Sequence, residues 1–200
     1  MSNIDKIMSM LDWNNSLKVQ ERGVKLGKKV SSFNVFIQPG HPGFTKNVWG
    51  NCAKIIVSKT DETLNPYLVE LLEWIEDLNW PGALIILERL KEFSKVNMLA
   101  FVFDLCVKRA SATENYSWLG NMSELLGNHA LLGSLEEECL AVLFKSKNEK
   151  VRFMAASNCL QMNLYINESK GILSSIKAQS QQMWQEESTF LSQVVQSEFS

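Results

Sequence analysis

Apolar residues recur every three or four positions along nearly the whole chain, and this spacing limits the fold more than any other feature. It places apolar side chains on one face of an α-helix. Breakers are scarce, since the 200 residues include only 4 Pro and 10 Gly. Short strands would need turn residues more often. The sequence therefore predicts an all-α protein built from helices joined by tight turns.

The predicted helices begin at regular intervals, near residues 46, 66, 82, 97, 115, 134, 149 and 168. Two such helices make a unit of about 35–40 residues, the size of a helical-repeat pair. Amphipathic helices of this kind stack their apolar faces into a solenoid. We predict a single helical-repeat domain, an α-α superhelix, over residues 1–200, with N-terminal helices and a long loop in 1–45 and stacked helical pairs in 46–200. A globular helical bundle is the alternative.

The clearest helical pattern lies at residues 66–78. Asn65 is placed to cap this helix, and Pro66 suits its first position. The apolar residues cover an arc of about 160° at 100° per residue, so we expect one buried face. The opposite face is expected to be a compact, exposed patch of four carboxylates: Glu70, Glu73, Glu76 and Asp77.

Other segments carry more specific expectations. Leu17, Val24, Leu26 and Val30 should point inward from a helix over 16–30, and Asn148 should cap a helix over 149–162. Asn167 should cap a C-terminal helical region that is either one helix or two helices broken near Gln185. Its apolar residues are expected to keep one stripe: Ile172, Leu173, Ile176, Met183, Trp184, Phe190, Leu191, Val194 and Val195. A helix over 97–110 is predicted to be built on the apolar residues Met98, Leu99, Phe101, Val102, Leu105 and Cys106.

Charge is distributed unevenly along the chain. Residues 1–60 hold nine Lys and Arg against three Asp and Glu, whereas residues 61–140 hold five against fourteen. A chain with a net charge of −2 is a poor general nucleic-acid binder. Its acidic middle can attract a basic protein partner, although a merely solvated surface is the simpler interpretation. Lys18, Arg22, Lys25 and Lys29 should form one basic stripe.

Residue types that carry catalysis or bind metals are sparse. Cys52, Cys106, Cys139 and Cys159 lie in apolar helical patterns without metal-ligand spacing, so we expect buried, reduced thiols. Only His41 and His129 are present, and neither has a His or Cys three or four residues later. We find no nucleophile motif or phosphate-binding loop. We therefore expect a non-catalytic protein with no metal and no cofactor.

The sequence also gives an expectation for the cellular location of the protein. No apolar run reaches the roughly 20 residues of a membrane span, and the first ten residues do not form an export signal. Reduced cysteines are typical of a reducing compartment. We expect a cytoplasmic protein that does not bind membranes.

Two strings resemble known families. VRFMAASNCL, at residues 151–160, resembles the second helix of a HEAT-type repeat, which implies stacked helical hairpins. LNPYLVELLEWIEDLNWPGA, at residues 64–83, resembles the motif Leu-Leu-Glu-Trp-Leu-x-Asp-x-Asn-Trp-Pro-Gly-Ala of an uncharacterised bacterial family, and this likeness extends over residues 46–95. Related small helical-repeat proteins are often proposed as immunity proteins, which bind and neutralise a toxin.

The resemblance implies a binding surface for a protein partner, such as a basic toxin domain. The candidate contact residues are Glu70, Glu73, Trp74, Asp77, Asn79 and Trp80, with both Trp residues at the rim of the carboxylate patch. The structural alternative is that this string is only a rigid corner between helices.

Two other functions stay open. Some HEAT-like proteins repair DNA as base-excision glycosylases, and here the basic stripe would contact phosphates while Asp77 served as the catalytic acid. The overall acidity speaks against that interpretation. A general scaffold or adaptor is the other alternative.

Overall fold

The computed structural model describes residues 3–40 and 44–198, with side chains described as far as Gln182 and for Gln185. In these residues all regular structure is helical, which confirms the all-α fold class. The α-helices are α1 (Asn3–Met10), α2 (Leu17–Gly27), α3 (Lys46–Ile56), α4 (Asp61–Leu64), α5 (Leu68–Trp74), α6 (Ala83–Lys91), α7 (Val96–Ala112), α8 (Tyr116–Met122), α9 (His129–Leu132), α10 (Glu137–Phe144), α11 (Glu149–Gln161) and α12 (Ile166–Glu198). Short 3-10 helices occupy Phe33–Phe36, Asn65–Tyr67 and Ser123–Gly127.

The helices stack in two layers. In one layer α5 packs on α7 and α7 packs on α10. In the other, α3 packs on α6, the 3-10 helix Ser123–Gly127 packs on both α6 and α11, and α8 packs on α11. Helices α1 and α2 continue the stack before α3, and α12 follows α11. Because helices mainly contact near neighbours in the chain, the fold is an α-α superhelix, as predicted.

One hydrophobic core runs through the stack from Ile7 to Cys159. All four cysteines are buried and unpaired, as expected. In the predicted loop before α3, Phe33 and Phe36 are buried against the body.

Helix α11 contains the HEAT-like string. Ala155 and Ala156 are fully buried there, which allows close helix approach. Arg152 donates to the carbonyl oxygens of Ser146 and Lys147 in the preceding turn, at 2.6 and 3.2 Å. The side chain of Asn148 accepts the N–H of Val151, so the predicted cap is confirmed. The assignment to the HEAT type stays a prediction.

The predicted helix over 66–78 is wrong in its bounds. The chain enters by α4 and the 3-10 helix Asn65–Tyr67, and α5 spans only Leu68–Trp74. The Asn65 side chain makes no cap, because its buried Oδ1 accepts no hydrogen bond from any described residue. Glu76 and Asp77 therefore lie in a turn, so the four carboxylates do not share one helical face.

Two other helices bury only some of the residues predicted. Leu99, Val102 and Cys106 of α7 are buried as predicted, and Val24 of α2 and Val30 just after it pack against the core. On α7, Met98, Phe101 and Leu105 are 44, 59 and 47% exposed, because α5, α8, α9 and α10 pack against its other sides. On α2, the buried residues are Gly23 and Gly27, and Leu17 is 75% exposed. Leu26 is also exposed.

Helix α12 is continuous through Gln185 and begins at Ile166, one residue before the predicted cap. The apolar residues expected to form its stripe at Met183, Trp184, Phe190, Leu191, Val194 and Val195 lie outside the described side chains, and His41 lies outside the described residues. None of the described helices combines the length and the apolar character that a membrane crossing requires.

Candidate partner-binding site

The chain turns sharply between α5 and α6. The carboxylate of Asp77 accepts the backbone N–H of Asn79 at 2.8 Å, and the carbonyl of Asp77 accepts that of Trp80 at 3.0 Å. Gly82 follows with a φ of +86°, which glycine adopts without strain. A Cβ atom there would lie 2.5 Å from the Cβ of Ala53 on α3. The segment is thus a rigid corner, and Gly82 lets α6 approach α3 as expected.

Three tryptophans meet behind this corner. Trp74 is fully buried, and its indole N–H donates to the carbonyl of Pro81 at 3.3 Å. The ring of Trp49 contacts Trp74 and Trp80 edge to face, with centroids 6.1 and 5.6 Å apart. The prediction that Trp74 lies at an exposed rim is therefore wrong, because its ring serves the core. Trp80 is only half-buried.

The predicted carboxylate patch is divided among several contacts. Glu73 forms an ion pair with Arg109 of α7. Glu76 accepts the side-chain N–H of Asn115 at 2.7 Å. Glu70 is half-buried on α5. The patch is divided because α5 ends at Trp74, which rotates Glu76 and Asp77 away from the helical face of Glu70 and Glu73.

A polar cleft lies where the corner meets the start of α8. Its volume is about 520 Å³, and none of the described residues that line it is Lys or Arg. The side-chain amide of Asn121 donates to the carbonyls of Ile75 and Glu76 at 3.0 and 3.1 Å, and so fixes the corner against α8. The acidic cleft, as we call it, is lined by Glu76, Asp77, Leu78, Asn79, Trp80, Asn115, Ser117 and Asn121.

The cleft unites three of the six predicted contact residues, Asp77, Asn79 and Trp80. It excludes Glu70, Glu73 and Trp74. Sequence analysis missed Asn115, Ser117 and Asn121, which lie more than thirty residues further along the chain. Of these three residues, only Asn115 is of a type that predicts a local feature, a helix cap. Its side chain caps α8 by accepting the N–H of Trp118.

The cleft carries two carboxylates, and none of the described residues of its lining is a cation. The bonds to Asn115 and Asn79 use one oxygen of each carboxylate, Oε1 of Glu76 and Oδ1 of Asp77. The other oxygens can accept hydrogen bonds from a guanidinium or an ammonium group. Trp80 adds an aromatic wall, and the ammonium of Lys46 already lies 5.0 Å from the centroid of its ring. A DNA-repair role for Asp77 would require Lys or Arg side chains beside it to bind the DNA phosphates. None of the described residues that line the cleft is Lys or Arg.

The cysteines are poorly suited to nucleophilic chemistry. Burial raises the pKa of Cys52, and it raises the pKa of Cys106 to about 12. Burial also raises the pKa of Cys139, with a further contribution from the buried carboxylate of Asp104. These thiols stay protonated at neutral pH. Within the described residues, no cluster of three or more His, Cys, Asp or Glu is arranged to hold a metal ion.

Comparison with known proteins identifies the family. A family model described as Domain of unknown function (DUF5071) matches residues 51–152. The match contains every residue that lines the acidic cleft. No curated protein and no solved structure matches the chain. Since the model covers just over half of the 200 residues, the chain belongs to the DUF5071 family.

Proposed function

We propose that this protein is a non-catalytic binding module whose acidic cleft receives a basic side chain of a protein partner. The observation that carries the proposal is the pair of carboxylates, Glu76 and Asp77, in a cleft whose described lining residues include no Lys or Arg. Its walls come from two parts of the chain joined by hydrogen bonds. Such a cleft changes little on binding, which favours affinity.

The cleft best fits an arginine. A guanidinium group can bond two carboxylates through its planar fork and stack on an aromatic ring. Glu76 and Asp77 supply the acceptors, and Trp80 supplies the ring. A lysine would meet the same charges with a less specific geometry.

The biological role that we propose is that of a bacterial immunity protein. The module would cover a basic surface of a toxin made by the same or a neighbouring cell. Support comes from the resemblance of residues 64–83 to the motif of the bacterial family and from the acidic cleft built by the same segment. Opposite charges would also speed the encounter with a basic toxin.

The test is co-expression with the product of the adjacent reading frame. We expect that product to slow growth alone, and we expect this chain to restore growth and form a complex that weakens with salt. The double variant Glu76→Gln/Asp77→Asn removes both charges but keeps oxygens that can accept the bonds from Asn115 and Asn79. It should weaken the complex at least about tenfold, since bonds to charged groups are the strong ones.

A matched control removes two charges elsewhere. Glu92 and Glu149 are exposed, and neither lines the cleft. The variant Glu92→Gln/Glu149→Gln should rescue growth as well as the original chain does. Lack of any complex or rescue, or equal loss in the two double variants, would contradict the proposal.

A further inference from the structure

A second groove, between α2 and α3, has the opposite charge. Its volume is about 310 Å³. Leu17 and Val24 of α2 give it an apolar floor. Lys25 of α2, Lys28 just after α2 and Lys54 of α3 also line it. We call it the basic groove. Glu21 is its one acidic lining residue.

The groove exists because α2 packs through glycines. A Cβ atom on Gly23 would lie 2.8 Å from the Cβ of Met10, and one on Gly27 would lie 2.3 Å from the Cδ1 of Ile55. The helix therefore lies directly against α1 and α3 at these glycines. Of its apolar side chains, Val24 packs against the core, whereas Leu17 at the start of the helix is 75% exposed. An apolar side chain with so little burial can gain free energy by contacting a partner.

The cations around the floor are available for a partner. Among the described residues, none of Lys25, Lys28 and Lys54 forms an ion pair, and all three are exposed. The ammonium of Lys54 donates to the side-chain oxygen of Asn51 at 2.9 Å, which holds it at the groove. Lys18 and Arg22 add positive charge on α2, and Lys29 adds more two residues after its end.

We propose that the basic groove is a docking site for an acidic, amphipathic segment of a protein partner. An apolar side chain of the segment covers Leu17 and Val24, and its carboxylates pair with Lys25, Lys28 and Lys54. Such a segment is complementary to both the apolar floor and the positive charges of the groove. A nucleic acid matches only the charges, and the acidic residues 61–140 repel a long polyanion.

The binding test uses three labelled probes. The first is a twelve-residue synthetic peptide of Glu and Ser with two Leu residues four positions apart. The second has both Leu residues replaced by Ser, and the third is a single-stranded DNA 12-mer. Fluorescence anisotropy at low and high salt measures each affinity. We expect the Leu peptide to bind at least about fivefold more tightly than the Ser peptide or the DNA, and more weakly at high salt.

Variants then locate the site. Lys25→Glu/Lys28→Glu should weaken binding of the Leu peptide about tenfold, because it converts two attractions into repulsions. Leu17→Ser should reduce the preference for the Leu peptide. Lys170→Glu/Lys177→Glu changes the net charge equally on exposed residues of α12, and it should leave the affinity unchanged.

Several results would overturn the proposal. They are the absence of binding, equal affinity for the Leu and Ser peptides, tighter binding of the DNA, or equal weakening by the α12 variant. Sedimentation that shows self-association abolished by Lys25→Glu/Lys28→Glu would assign the groove to a second copy of the chain instead.

Discussion

The basic N-terminal region and the acidic middle of this protein handle their charges in different ways. In residues 61–140, carboxylates are engaged in ion pairs, such as Asp61 with Arg89, Glu73 with Arg109 and Glu124 with Lys150. In and just after α2, five basic residues have no ion pair among the described residues: Lys18, Arg22, Lys25, Lys28 and Lys29.

This difference shows that the net charge of a segment does not measure the charge that it offers to a partner. In the acidic middle, many carboxylates form ion pairs that join neighbouring helices, and two that form none among the described residues, Glu76 and Asp77, lie together in the acidic cleft. The N-terminal region keeps its charge on the surface. If this account is correct, substitutions in the middle should mainly change stability, and those at the N-terminus should mainly change binding.

The largest expected difference concerns two tryptophans. Trp74 is fully buried in the middle, whereas Trp13 is 54% exposed in the N-terminal region. Trp74→Ala should lower the free energy of unfolding by about 3–5 kcal/mol, because it removes a buried ring and leaves a cavity. Trp13→Ala should cost less than about 1 kcal/mol. Urea unfolding measures the free energy of unfolding of both variants. Similar losses would contradict the proposed difference between the two regions.

The next effect concerns two aspartates. Asp61 is 11% exposed, pairs with Arg89, and accepts the backbone N–H of Ser94 at 2.7 Å. Asp12 bonds Asn47 and Asn14 without a cation. Asp61→Ala should cost about 3 kcal/mol, since it leaves a largely buried guanidinium unpaired. Asp12→Ala should cost about 1 kcal/mol. Equal costs in chemical unfolding would contradict the greater structural role of charge in the middle.

A smaller loss is expected at the corner. Gly82→Ala places a Cβ atom against Ala53 at a positive φ, so we expect a loss of about 2 kcal/mol. Gly40→Ala is the matched control, because a Cβ there meets no atom of the described residues within 4 Å. Thermal unfolding should show a lower Tm for the Gly82 variant alone. An unchanged Tm would mean that the corner is not rigid.

The smallest of these expected effects is a loss of stability at acidic pH. Burial raises the pKa of Asp61, but hydrogen bonds from Ser94 and Arg89 outweigh it and hold that pKa below its usual value. The carboxylate thus stabilises the fold above about pH 4, and this contribution is lost as the pH falls through the lowered pKa. Unfolding of Asp61→Asn should lose less stability between pH 6 and about pH 3 than the original chain does. An identical pH profile would contradict this role.

Local sequence signals predicted part of this structure well. The helical class followed from the apolar spacing, and the cap at Asn148 and the corner at Gly82 followed from residue types with strong local preferences. The buried state of the cysteines followed from their apolar surroundings.

Long-range contacts explain the features that the sequence did not reveal. The early end of α5 places Glu76 where Asn115 can bond it, across 39 positions of sequence. The close packing of α2 on its neighbours depends on Gly23 and Gly27, where a Cβ atom would clash with Met10 and Ile55. Phe101 is exposed because no described helix covers that side of α7.

The most direct test of the central claim is an NMR titration with a short peptide that contains two arginines. We expect shifts at the indole N–H of Trp80 and at the side-chain amides of Asn115 and Asn121, and we expect high salt to suppress them. Glu76→Gln/Asp77→Asn should abolish these shifts, and Glu92→Gln/Glu149→Gln should preserve them. Shifts confined to other surfaces, or equal binding by both double variants, would contradict the assignment of the acidic cleft as the partner site.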